Sequence, residues 1–205
     1  MESDIDMQHH IDEQESRIEH LLGDLETVDL MLARVLWNWG GQGKIIPIDH
    51  PRSLFEDPEY HSQLCRRVRH LPEGDELCWR HDLKAAKRVS EAGKTVESIC
   101  DCGLFGIATP IVVNGRAIAA ILFGQRRIAD DPVFTKNALR RLHEAENRLG
   151  LEPGTLKEDW QDVKSVTRRE VARARSDVER IADFIAQIAA DREELEVLSR
   201  CDAML

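Results

Sequence analysis

Two nearly continuous apolar runs meet at an Asn-Gly pair: Ile107 to Val113, then Asn114-Gly115, then Arg116 to Phe123. Asn-Gly is the favoured two-residue hairpin turn, because both turn positions require a positive φ that Asn tolerates and Gly adopts freely. Strands this apolar are expected at the centre of the sheet and of the core. Gly124-Gln125 is expected to end the second of them.

The sequence around the hairpin predicts an α+β domain. Lys44 to Asp49 suits a short strand, and Pro47 places it at an edge because proline cannot donate to a ladder. His50 to Tyr60 reads as loop. Gln63 to Arg69 and Leu77 to Glu91 read as helices, separated by the turn Pro72-Glu73-Gly74-Asp75, with Gly93 closing the second. Asp130-Asp131-Pro132 opens another helix running to Leu149, and Gly150 to Gly154 breaks it. From about Asp159 the chain is expected to be helical to its end.

Both ends carry coiled-coil spacing. Ile11, Gln14, Ile18, Leu21, Leu25, Val28, Leu32 and Val35 alternate by three and four, as do Val171, Ala174, Val178, Ile181, Ile185, Ile188, Arg192 and Leu195. A partner helix is the stronger expectation for the first seam. For the second, the first half is expected to pack on the domain and the second half to project. The division is therefore residues 1–36 as a coiled-coil helix, 37–158 as the core and 159–205 as a C-terminal helix, with a homodimer as the implied assembly.

Charge removes several classes of partner. The chain has 28 Lys and Arg against 38 Asp and Glu, a net charge of −10, which disfavours broad binding to nucleic acid or anionic membranes. Residues 1–27 hold nine acids and the single base Arg17, unlike a signal peptide, and no apolar run approaches a membrane span of ~20 residues. Five cysteines, an odd number without a signal peptide, point to a reducing cytoplasm.

Those thiols carry the chemistry. Cys65, Cys78, Cys100 and Cys102 fall within 38 residues, and His81 stands one helical step from Cys78. Converging thiolates suit Zn²⁺ or an iron–sulfur cluster. Free cysteine is also an ordinary small core residue, so clustering alone leaves metal site and inert core open. No hydrolase, P-loop or dinucleotide motif is present, and no enzymatic activity is expected of this chain. A cysteine-dependent enzyme has only the neighbouring Cys78 and His81 in its favour. Phe105, Thr109 and Phe123 are candidates to line a mostly apolar ligand pocket, with Gln125 as a placed polar group.

Over roughly residues 28–190 the chain resembles the PocR sensory domain, a PAS-like ligand-binding module of signalling proteins. The likeness is carried by Leu64-Cys65-Arg66-Arg67-Val68-Arg69, by Cys78-Trp79-Arg80-His81-Asp82, and by Cys100-Asp101-Cys102-Gly103-Leu104 followed by Thr109-Pro110-Ile111 and Phe123-Gly124-Gln125. The family pattern tends to place His after the third cysteine. Here Asp101 stands there and an extra Cys102 follows, leaving Cys102 and His81 as rival fourth ligands. The resemblance implies a PAS-like antiparallel sheet with flanking helices and a common site at Cys65, Cys78 and Cys100. It also implies sensing of a small molecule such as a diol, with the signal passed to an output domain. Leu195 to Leu205 resembles the linker entering a diguanylate cyclase (GGDEF) domain. The expected function is cytoplasmic sensing of a small ligand, gas or redox signal through a cysteine-held Zn²⁺ or [4Fe–4S] centre or an adjacent pocket. The alternative is a zinc-stapled structural or adaptor dimerisation domain.

Overall fold

The computed structural model describes residues 42–48 and 61–202; the predicted N-terminal coiled coil at 1–36 lies outside the described residues. The elements run β1 (Gln42–Pro47), α1 (Gln63–Arg69), α2 (Gly74–Ala92), β2 (Val96–Ile99), β3 (Phe105–Val113), β4 (Arg116–Ile128), α3 (Pro132–Arg148), α4 (Lys157–Asp162), β5 (Ser165–Val166) and α5 (Arg168–Asp202). The sheet order is β1-β4-β3-β2, antiparallel throughout, with β5 added parallel to the end of β4.

The hairpin forms as its turn chemistry requires. Asn114 and Gly115 take φ of 50° and 78°, and β3 and β4 are the two central strands. Their continuous apolarity has a direct cause: both faces of the sheet are covered. On one face Ile46, Ala108, Ala120 and Leu122 pack against Ala85, Ala86 and Val89 of α2. On the other, Ile45, Ile107, Ile111, Ile121 and Phe123 share the main core with Val171, Val178, Ile181 and Ile185 of α5. Pro47 does lie on an edge strand.

Several expectations are corrected. The second hairpin strand does not end at Gly124-Gln125 but continues to Ile128. Phe105 pairs with Arg126 and Gly106 with Gly124, so Gln125 is the extra residue of a bulge, at a φ of 65°. Only glycine fits at 124, where a Cβ would stand 2.5 Å from Gly106 Cα and the Phe105 carbonyl oxygen. β2 was not anticipated, since its four residues carry only two apolar side chains. Helix α2 begins inside the expected turn, at Gly74.

The chain after Asp159 is not one helix. Val163 is extended, β5 follows, and α5 starts afresh at Arg168. A capping box accounts for that restart: the Thr167 backbone N–H donates to Glu170 Oε2 at 2.7 Å, and the Glu170 N–H donates to Thr167 Oγ1 at 3.2 Å. Helix α5 has 35 residues, about 52 Å at 1.5 Å per residue. Its seam is buried on the domain's own sheet as far as Ile185 and Ala189, whereas Leu195 is 65% exposed. Among the described residues, no helix is long and apolar enough to cross a membrane.

Candidate functional site

Three elements bring the cysteines into one neighbourhood. Cys65 lies in the first turn of α1, where Ser62 caps the helix and accepts from the Cys65 backbone N–H at 3.2 Å. Cys78 lies in the second turn of α2. Cys100 and Cys102 occupy the tight connection between β2 and β3. That turn is closed by Cys100 N–H to the Leu104 carbonyl at 2.8 Å and Gly103 N–H to the Cys100 carbonyl at 2.9 Å. The turn is seated from below, because buried Trp160 of α4 donates Nε1–H to the Gly103 carbonyl at 3.2 Å. Arg67 ties α1 to the same helix through Asp159, at 2.8 Å.

The four thiols are within electrostatic reach of one another. Burial first, and then the charge of Cys100, push Cys65 up to about 12. The same two causes, in the same order, raise Cys78, with Cys65 adding to them. Cys100 moves the other way. The Cys102 thiol donates to it, the Leu104 backbone N–H donates at 3.3 Å, and together these outweigh burial and favour its thiolate. Cys102, as the donor, is raised. This donor set is chemically suited to a thiophilic metal, and the N–H and S–H donors at Cys100 support a thiolate. As the side chains stand, no three His, Cys, Asp or Glu residues among those described are gathered closely enough to share one ion.

Beside the cysteines is a cavity of about 70 Å³, lined by Cys100, Leu104, Phe105, Gly106, Phe123 and Gly124 on its apolar side. Its polar groups are Lys44, His81, Asp82, Ser98 and Gln125. A water needs about 15 Å³ on this measure, so the space suits a molecule of a few heavy atoms. Lys44 Nζ pairs with Asp82 Oδ2 at 2.5 Å, and Arg69 Nη2 approaches the same oxygen at 3.7 Å. His81 Nε2 lies 3.4 Å from Ser98 Oγ, and burial lowers the His81 pKa, favouring the neutral ring.

Of the sequence-predicted pocket residues, Phe105, Phe123 and Gln125 line this cavity. Thr109 does not; it is buried, with its hydroxyl 3.2 Å from that of Thr95. Lys44, Asp82 and Ser98 were missed. A lysine inside an apolar strand run was a legible signal for the first, and Ser98 could not be placed because its strand was not recognised.

Residues 44–190 match the family described as the sensory domain found in PocR. No curated protein and no solved structure matches the chain.

Proposed function

The chain belongs to the PocR sensory-domain family, and on that premise we propose that it senses a small molecule in the cavity beside Cys100 and reports it through α5. The observation that carries this reading is the position of Phe105. Phe105 is among the residues that line the cavity, and its ring lies under Arg168, the first residue of α5. A ligand that displaces Phe105 changes what the start of the output helix rests on. The size of the response is bounded by the ligand's differential affinity for the two helix poses.

Cys65, Cys78, Cys100 and Cys102 would hold the second input, Zn²⁺ or a [4Fe–4S] cluster, the support being that thiols from α1, α2 and the 100–104 turn face one neighbourhood. Zn²⁺ would staple α1, α2 and the turn; a cluster would supply a redox- or gas-reactive group. Output is read as a homodimer whose projecting α5 helices lead to an attached domain. The resemblance of residues 195–205 to the linker entering a diguanylate cyclase (GGDEF) domain supports that class for the attached domain. Sensing of this kind belongs in a reducing cytoplasm, where the thiols persist.

The test uses propane-1,2-diol as the probe. Titrated into ¹⁵N-labelled chain, it is expected to shift the amides of Gly106, Gly124 and Gln125 together with those of Arg168 and Glu170. Shifts at the cavity without shifts at α5 would leave binding but remove the transmission route. No shift with any small diol or related alcohol would sink the cavity as the sensing site. Metal quantification and an absorbance spectrum after anaerobic purification decide the second input.

A further inference from the structure

A cation stands where the fold calls for an apolar side chain. Strand β1 alternates, so Ile45 joins the core under α5 while Lys44 and Ile46 belong to the face that α2 covers. Lys44 is paired in register with Leu122 of that same face and is only 6% exposed. Its side chain crosses to α2 and meets Asp82 Oδ2 at 2.5 Å. Both residues line the cavity, together with Ala85 of α2 and Ala108 and Leu122 of the sheet. A buried ion pair rarely stabilises a fold more than apolar side chains in its place. Stability alone therefore does not account for a lysine here.

Lysines that form Schiff bases are desolvated in apolar pockets or stand beside a second cation. Lys44 has both surroundings. The cavity walls are mostly apolar, and Arg69 Nη2 lies 3.7 Å from the Asp82 oxygen that Lys44 holds. The space of about 70 Å³ takes a molecule of a few heavy atoms. We propose that Lys44 captures a short-chain aldehyde covalently in this cavity, as a protonated imine held against Asp82. This rests on the reading of the cavity as the ligand site and adds the reactive group of the ligand. The Nζ–carbon bond forms, and the carbonyl oxygen leaves as water with two of the three ammonium protons. The positive charge passes from ammonium to iminium. Asp82 thus keeps its counter-ion, and neither oxidant nor reductant is needed.

Butanal labelled with ¹³C at its carbonyl carbon, added to the full chain, tests it. An iminium carbon resonance is expected. Reduction with cyanoborohydride is expected to fix a butyl group that peptide mass spectrometry locates at Lys44. Capture there is expected to run about tenfold ahead of the exposed Lys84, Lys87 and Lys94, because the cavity holds the carbonyl against the amine. Asp82→Asn is expected to lower capture at Lys44 about tenfold, through loss of a close opposite charge. Neither resonance nor butyl group at Lys44, or labelling confined to the exposed lysines, overturns the proposal and leaves a structural ion pair. Capture by Asp82→Asn as strong as the parent's overturns the ion-paired imine. Should Asp82→Asn fail to fold by circular dichroism, Lys44→Arg decides, since an iminium resonance that persists there unchanged overturns the assignment. Diol-induced amide shifts without capture remove the aldehyde and leave the cavity as the sensing site. Capture without diol shifts upholds the proposal while the diol reading falls.

Discussion

The Arg168 guanidinium carbon lies 5.5 Å from the centroid of the Phe105 ring. The same guanidinium reaches Glu97 of β2 at 3.0 Å and Asp131, the cap of α3, at 2.8 Å. Phe105 in turn meets Phe134 of α3 edge-on, with centroids 6.3 Å apart. The first residue of α5 is thus fastened to β2, to α3 and to the ring of a residue that also lines the cavity, rather than merely abutting the sheet.

Removing that fastening has a modest stability cost, because Arg168 is half-exposed. An exposed cation–π contact contributes about 0.5–1 kcal/mol and each exposed ion pair about 0.2–1 kcal/mol. Arg168→Ala is therefore expected to destabilise the domain by about 1–2 kcal/mol, measured as a lower urea midpoint. The larger effect is expected on coupling: diol binding at the cavity persists while the α5 amides cease to respond. An unchanged α5 response would show that Arg168 does not carry the link.

The cap residues give the fold an acid-sensitive edge. The Phe134 N–H and then Arg168 hold Asp131 below its ordinary carboxylate range, and the Thr167 N–H does the same for Glu170. A depressed folded-state pKa means the unfolded chain binds more protons in acid. The stability is present above the unfolded carboxylate pKa of about 4, and is lost as pH falls through the lower folded value. Denaturant midpoints recorded from pH 5 downward are expected to fall, with a shallower slope in Asp131→Asn. An identical slope in that variant would remove Asp131 as a contributor.

The two glycines facing each other across β3 and β4 separate stability from cavity shape. At Gly124 a Cβ meets backbone atoms at 2.5 Å, so the strands themselves must move. Overpacking of this kind costs about 1–3 kcal/mol, and Gly124→Ala is expected near the upper end. At Gly106 the nearest atoms to a Cβ are the Phe123 carbonyl oxygen at 3.5 Å and Ser98 Oγ at 3.6 Å, an ordinary contact. Gly106→Ala is expected to melt close to the parent while filling part of the cavity and weakening diol binding. Equal melting temperatures for the two variants would contradict the close approach at 124.

How much of this was legible follows from where each signal lives. Asn114-Gly115 and the Asp131-Pro132 start were readable because turn and cap chemistry is local, and Ser62, Asp131 and Thr167 act within four residues of themselves. The apolar runs announced a central hairpin because period and burial are sequence properties. The bulge at Gln125 was not readable: it exists because Gly106 and Gly124 approach closely, and strand partners are not neighbours in sequence. β2 was missed for the same reason, since Glu97 and Ser98 are held by β3 and by Arg168 and Arg175 rather than by their own pattern. In the candidate site, the cysteines were visible by residue type. Lys44, Asp82 and Ser98 became site residues only when α2 crossed the sheet.

The far half of α5 makes the remaining prediction. Val171, Val178, Ile181 and Ile185 bury their seam on the domain itself, so they cannot serve a second copy. Beyond Ala189 the same spacing continues to Leu195, which is 65% exposed among the described residues. Phe184 is also exposed, at 50%, and lies about three turns before Leu195, next to the seam residue Ile185. If two α5 helices pair along the projecting seam, Leu195→Glu places two carboxylates in the interface while leaving the domain core untouched. The chain is expected to sediment as a dimer at tens of micromolar. Leu195→Glu is expected to raise the dimer dissociation constant at least tenfold, about 1.4 kcal/mol, with the melting of the core unchanged. Phe184→Ser, about 16 Å nearer the domain along the helix, is expected to weaken association less than Leu195→Glu. Dissociation by Phe184→Ser but not by Leu195→Glu would move the interface toward the part of α5 nearer the domain, and a monomeric parent would remove the paired-helix output altogether.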